Sequence, residues 1–185
     1  MQKGKPVSKG EKIKINITGL SHDGSGVGKI DGFTFFVPET TPGDTVEAQV
    51  ISIQKNHGRA LPLKIIKAAD TRTEPFCDYY SRCGGCQLQH IKYEEQLRLK
   101  EILVNDSLKR IGKINCSVNP VIGMDNPRNY RNKAQVPIAC DGKEIVAGFY
   151  ERRSHKIVDI ESCPIQDEQN NKSIQIDRLR LSAML

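Results

Sequence analysis

Glu11-Lys12-Ile13-Lys14-Ile15-Asn16-Ile17 alternates polar residues with isoleucine, one position in two. In an extended chain this puts every isoleucine on one face, the pattern of a half-buried strand. The pattern returns in Thr45-Val46-Glu47-Ala48-Gln49-Val50-Ile51-Ser52-Ile53. Between the two, apolar runs at 27–30 and 33–37 flank Asp31-Gly32, a hairpin signal. Pro38 and Thr41-Pro42-Gly43-Asp44 supply the next turn. Lys55-Asn56-His57-Gly58-Arg59 is a basic turn leading into a last strand over 60–66. Five short strands at this spacing predict a small closed barrel of the OB-like kind over 8–68. Gly24-Ser25-Gly26-Val27-Gly28 follows a strand but opens no helix, so it reads as a barrel turn and not as a cofactor loop.

Beyond the barrel the pattern changes. Residues 70–90 carry cysteines and little periodicity. Residues 91–111 read as a helix with Leu97, Val104, Leu108 and Ile111 on one face and Gly112 as the stop. Strand signals return at 118–122, 133–139, 145–150 and 156–160, with Asp141-Gly142 as a turn. Residues 165–185 read as a second helix with Ile174, Leu181 and Leu185 near one face. No stop signal closes that helix, which is expected to run on into further chain. The fold class expected is mostly β with an α+β second part: a barrel, a cysteine loop, a helix, and a small mixed α/β domain.

Composition narrows the function. The 185 residues are 37% hydrophobic and contain no Trp, enough for two small cores. The net charge of +6 favours a polyanionic partner, most simply nucleic acid. The excess is unevenly placed: residues 1–66 carry +3 and 91–133 carry +4, flanking a neutral stretch at 67–90, while 134–185 carry −1. No run approaches a membrane span and no signal-peptide core follows the N-terminus, so a cytoplasmic protein without a membrane partner is expected. Six cysteines in such a chain read as ligands or free thiols before disulfides.

Cys77-x5-Cys83-Gly84-Gly85-Cys86 is followed by Cys163-Pro164. The glycine pair lets the backbone fold tightly between two thiolates, and a fourth ligand can arrive from far along the chain. Cys-Pro recurs in iron–sulfur ligation, where Pro ends the ligand loop. On spacing, four-thiolate zinc and a [4Fe–4S] cluster fit equally. A redox pair at Cys83/Cys86 fits less well, for want of a thioredoxin-like strand–helix pattern. Cys116 and Cys140 sit in strand-like surroundings and are assigned no role.

Pro75-Phe76-Cys77-x5-Cys83-Gly84-Gly85-Cys86-x-Leu88-Gln89-His90, followed by Tyr93-x2-Gln96-Leu97-x2-Lys100, resembles the RNA uracil-5 methyltransferases of 23S ribosomal and transfer RNA. Residues 8–68 resemble the TRAM domain that opens the ribosomal members, through Gly24-x-Gly26-Val27, Gly32, Phe36-Val37-Pro38 and Pro42-Gly43-Asp44. Asn129-Tyr130-Arg131-Asn132-Lys133-Ala134, Gly148-Phe149-Tyr150 and Ser154-His155-x-Ile157-Val158 resemble the family's central domain, which ends in Cys163-Pro164-Ile165. The resemblance implies a [4Fe–4S] cluster on Cys77, Cys83, Cys86 and Cys163, and shifts the balance away from zinc. It implies a division into a TRAM-like barrel at 8–68, an iron–sulfur segment and helix at 70–112, a central RNA-binding domain at 113–166, and the start of a linker helix at 167–185. It also implies a following domain that binds S-adenosylmethionine and carries a nucleophilic cysteine and a carboxylate base. No such cysteine–base pair is visible in these 185 residues, so the chain alone is expected to be inactive.

RNA affinity comes from phosphate neutralisation and selectivity from splayed bases. Arg128, Tyr130, Arg131 and Lys133 form the leading contact candidate. Arg152, Arg153 and His155 form a second. The barrel adds Lys12, Lys14, Lys55 and Arg59, with Phe33, Phe35 and Phe36 as stacking faces, at least one of which alternation sends to the core. His22, His57 and His90 are expected to satisfy loop hydrogen bonds, His90 packing close to the cysteines. The expected function is the RNA-binding, cluster-bearing portion of a methyltransferase acting on structured ribosomal RNA, as a monomer. The alternative is a stand-alone RNA-binding module with a four-cysteine zinc or iron–sulfur site.

Overall fold

The computed structural model of the chain describes residues 7–142 and 144–183. Strands β1 (Lys12–Leu20), β2 (Gly26–Ile30), β3 (Phe33–Val37), β4 (Thr45–Ile53) and β5 (His57–Lys67) close into a barrel of order β1-β2-β3-β5-β4. All neighbours are antiparallel except β3 and β5, which run parallel. The isoleucine alternation of β1 is realised: Ile13, Ile15 and Ile17 are buried and Lys12, Lys14 and Asn16 exposed. They join Phe35, Val37, Val46, Ala48, Val50 and Ala60 in one apolar core. Burying each large member contributes about 1.5–3 kcal/mol before chain entropy is charged. Asp31 and Gly32 both take positive φ, at 48° and 83°, the geometry of a tight I′ hairpin. Gly28 is demanded by packing, since a Cβ there would lie 2.5 Å from the Asn16 carbonyl oxygen. The glycine-rich run is therefore turn and strand, as its setting implied.

A buried ion cluster fastens the barrel's open end. The Asp44 carboxylate is 1% exposed. It accepts the Thr41 N–H at 2.9 Å, the Ala69 N–H at 2.9 Å and the Arg72 guanidinium at 2.6 Å. The carboxylate thus ties the start of β4 to the segment leaving β5.

The described residues group into two compact units. The barrel through Glu74 belongs with His90–Gly123, and Pro75–Gln89 belongs with the chain from Met124 on. The segment expected at 70–112 is therefore shared out between the two units. In the first, α1 (Tyr93–Asp106) runs into one π-helical turn at Ser107–Ile111. The expected helix face is corrected: Leu99 and Glu95 are the buried positions, while Val104 is 46% and Ile111 82% exposed. Glu95 accepts a bidentate pair of hydrogen bonds from Arg98, at 2.6 and 2.7 Å.

The second unit holds an antiparallel meander, β6 (Ile138–Asp141), β7 (Glu144–Tyr150) and β8 (Ile157–Asp159), and helix α2 (Glu168–Ser182). No strand forms at 118–122, and 133–139 pairs only from Ile138. Pro120 and Pro137 explain both, since each removes a ladder donor. Helix α2 starts late because Asp167 caps it, accepting the Gln169 N–H at 2.8 Å. Ile174 is buried and Leu181 is 37% exposed; Leu185 lies outside the described residues. The core here is small: Val158, Ile160, Cys163 and Ile165, with Tyr79, Cys86 and Phe149 packed on it.

Candidate functional site

Cys77, Cys83, Cys86 and Cys163 line one cavity of about 700 Å3, with Gln89, Arg131 and Lys133 also on its wall. Two stretches far apart in sequence meet there because β7 and β8 return the chain beneath the cysteine loop. Gly84 donates its N–H to the Tyr150 carbonyl at 2.9 Å, and Cys83 bridges Glu151. A Cβ at Gly84 would stand 3.0 Å from that same carbonyl, so the Gly-Gly spacing serves a backbone contact as well as a tight turn. Cys163 is fixed by α2: its N–H donates to Asn171 Oδ1 at 2.9 Å, and Asn171 Nδ2 donates back to the Cys163 carbonyl at 3.1 Å.

Burial governs the electrostatics of two of the four thiols. Burial pushes the Cys77 thiol up, the other three thiols add to that, and a hydrogen bond from Tyr79 opposes it. Burial likewise raises Cys86, against a hydrogen bond from Gln89 and the positive charge of Arg131. Thiols raised this way stay protonated near neutrality until a cation displaces the proton. Gly85 donates its N–H to Cys83 Sγ at 3.4 Å, a bond that strengthens on the thiolate. Gln89 is 8% exposed and its Oε1 is buried without a partner in the protein.

Two groups take a set of four thiolates. A tetrahedral zinc would lie about 2.3 Å from each sulfur. A [4Fe–4S] cluster would take one thiolate at each of its irons. The four thiols lining one cavity match the donor number of both. Among the described residues no three Cys, His, Asp or Glu side chains are grouped so as to hold a single metal ion.

The basic candidates divide. The segment bearing Asn129 and Arg131 is stitched to the stretch that follows Cys163: Asn129 N–H to Pro164 O at 3.1 Å, Arg131 N–H to Ile165 O at 2.9 Å, and Asp167 N–H to Arg131 O at 3.0 Å. It presents Arg128, Tyr130, Arg131 and Lys133 exposed. Arg128 stacks on Phe76 at 4.5 Å. In the barrel Lys12, Lys14 and Lys55 are exposed, and half-buried Arg59 lies 3.6 Å from Asp23 and 5.9 Å above the Phe36 ring. Phe35 is the phenylalanine sent to the core. Phe36 meets His57 edge-on at 5.5 Å, and Phe33 packs partly buried on the core.

One expectation changes. Arg152 is not a free RNA contact beside Arg153 and His155: its guanidinium faces inward onto carbonyls of the cysteine loop. Arg153 and His155 are exposed. His90 is buried and His22 exposed. Cys116 and Cys140 are exposed. Asn171 and the inward role of Arg152 carry no spacing signal in the sequence, whereas Gln89 lies in the cysteine-run motif itself.

Comparison with known proteins settles the kinship. Residues 6–63 match the TRAM domain. An uncharacterized RNA methyltransferase of Listeria monocytogenes is 46% identical over 172 residues, 93% of this chain and 38% of its own length. One from Clostridium tetani is 46% identical over 95% of this chain and 38% of its own length. This chain carries a TRAM domain and, over most of its own length, is a homologue of proteins named RNA methyltransferase. It spans under two fifths of the length of these relatives. Among solved structures, the Pyrococcus abyssi tRNA (uracil-54, C5)-methyltransferase, crystallised with S-adenosyl-L-homocysteine, is 26% identical with a TM-score of 0.55, covering 90% of this chain and 36% of that chain. Among the described residues no helix is long and apolar enough to cross a membrane.

Proposed function

We propose that this chain is the RNA-binding, iron–sulfur portion of an S-adenosylmethionine-dependent RNA uracil-5 methyltransferase that modifies 23S ribosomal RNA in the cytoplasm. Cys77, Cys83, Cys86 and Cys163 hold a [4Fe–4S] cluster. Arg128, Tyr130, Arg131 and Lys133, with Lys12, Lys14, Lys55 and Arg59 of the barrel, meet RNA. Arg153 adds a minor contact. Methyl transfer belongs to the part of the relatives' length that this chain does not span. The chain acts as a monomer.

The observation that carries the reading is the quartet of thiols around one cavity whose wall includes Arg131 and Lys133. A cluster there holds the Cys163 segment, and the basic segment hangs from the stretch 164–167 by three backbone hydrogen bonds. The cluster's bound work is structural; the transfer of a methyl group to uracil needs no electron.

The test is anaerobic purification, absorbance near 400 nm, and iron, sulfide and zinc analysis. The expected result is roughly four irons and four sulfides per chain. One zinc without iron would replace this reading by the zinc-bearing RNA module. Binding to 23S ribosomal RNA fragments and to transfer RNA, across a salt series, then assigns the substrate. Tighter binding to transfer RNA overturns the ribosomal assignment.

A further inference from the structure

We propose that Arg152 is the positioning residue of the cysteine loop, the side chain that sets where the Cys83 and Cys86 sulfurs point. The proposal rests on the cluster reading for its redox consequence, but its geometric core stands apart from it. Arg152 Nη2 donates to the carbonyl oxygens of Tyr80 and Cys86, both at 3.1 Å. Its Nε reaches the Cys83 carbonyl at 3.4 Å, and the guanidinium lies 5.0 Å from the centre of the Tyr80 ring. One planar cation thus grips carbonyls across the loop that carries two of the four thiols. A lysine, with a single point charge and no fork, cannot span three such acceptors.

The grip bears on the sulfurs through the rigidity of the peptide plane. A carbonyl held on one side turns the following N–H to the other. Arg152 takes the Cys83 and Cys86 carbonyls, and Gln87 Nε2 takes the Gly84 carbonyl at 2.8 Å. The Gly84 N–H is thereby aimed at the Tyr150 carbonyl, and the Gly85 N–H at Cys83 Sγ. Hydrogen bonds to sulfur are among the levers that raise a cluster's reduction potential. Arg152 stands where β7 ends, so the same strand that meets the loop backbone also supplies its clamp.

The experiment uses the full chain as isolated, with Arg152→Ala, Arg152→Lys and, as control, Arg153→Ala. Amide hydrogen exchange is followed at Gly84 and Gly85, with the α1 amides as internal reference. Arg152→Ala is expected to speed exchange at Gly84 by roughly tenfold or more, the scale of losing a charged hydrogen bond, and at Gly85 by less, because Gln87 holds the carbonyl of that peptide. Arg152→Lys is expected to fall between, and Arg153→Ala to match wild type. If the alanine variant fails to fold, the lysine variant gives the same ordering at smaller amplitude. The cluster's reduction potential is expected to fall in Arg152→Ala. Equal exchange in Arg152→Ala and Arg153→Ala overturns the proposal. Fast exchange with an unchanged potential overturns the positioning role and leaves only packing. Zinc without iron in the wild type sinks the cluster reading, while the exchange result still decides what Arg152 does to the loop.

Discussion

The barrel and the cysteine unit solve the same problem, ordering a short chain, by different means. The barrel buries nine apolar residues in a closed sheet and fastens its end with Asp44 and Arg72. The cysteine unit has a four-residue buried cluster, one member of which is itself a thiol, and a large cavity beside it. Hydrophobic closure suffices for the first. The second has less apolar area, and on the proposed reading the cluster supplies part of its order, as metals do for small domains generally.

The contrast can be broken at either side. The largest effect is expected from Cys163→Ser. Iron content should collapse and hydrogen exchange in β7, β8 and α2 should become fast, while β1, β4 and β5 keep their protection. Loss of protection in the barrel as well would end the contrast. Next comes Asp44→Ala, which removes the carboxylate partner of Arg72 and of the Thr41 and Ala69 N–H groups. It should cost the barrel about 3–5 kcal/mol in urea unfolding and leave iron content unchanged. Asn171→Ala removes both hydrogen bonds that fix Cys163. A loss of about 1–3 kcal/mol in the cysteine unit is expected, together with faster bleaching near 400 nm in air.

Smaller changes sharpen the comparison for RNA. Arg131→Ala and Lys133→Ala should each weaken binding and reduce the salt slope by about one, and Lys55→Ala should do the same from the barrel. A flat response to Lys55→Ala would confine RNA contact to the cysteine unit. The smallest effect is expected from acid. Burial raises the Asp23 carboxyl, but hydrogen bonds from Ser21 and Ser25 and the charge of Arg59 outweigh it and leave it below its ordinary value. Its contribution is therefore complete above the ordinary carboxylate range and is lost as pH falls through the lowered value. Asp23→Asn should flatten that acid limb of the barrel's stability curve and remove the same small contribution at neutral pH.

Much of this was legible beforehand, for reasons that differ by region. In β1 and β4 every second residue is apolar, and a period of two has one structural meaning when turns bound it. The Asp31-Gly32 hairpin followed from the need for positive φ. The Pro-interrupted runs at 118–122 and 133–139 misled, because apolar content without ladder donors cannot pair. The helix face of α1 also misled: periodicity offered more than one stripe, and tertiary contact chose Leu99.

For the candidate site, sequence alone determined the thiols, because Cys-Gly-Gly-Cys and a distant Cys-Pro carry their spacing in the chain itself. It also determined the barrel and the basic segment, since alternation and charge are local properties. Only the tertiary structure decided that Cys163 joins the other three around one cavity, that Asn171 fixes it, and that Arg152 faces inward while Arg153 does not. The physical reason is that an arginine's role depends on which carbonyls lie within its reach. Those of Tyr80, Cys83 and Cys86 stand more than sixty residues away in the chain and come within hydrogen-bonding distance only when β7 folds back along the loop.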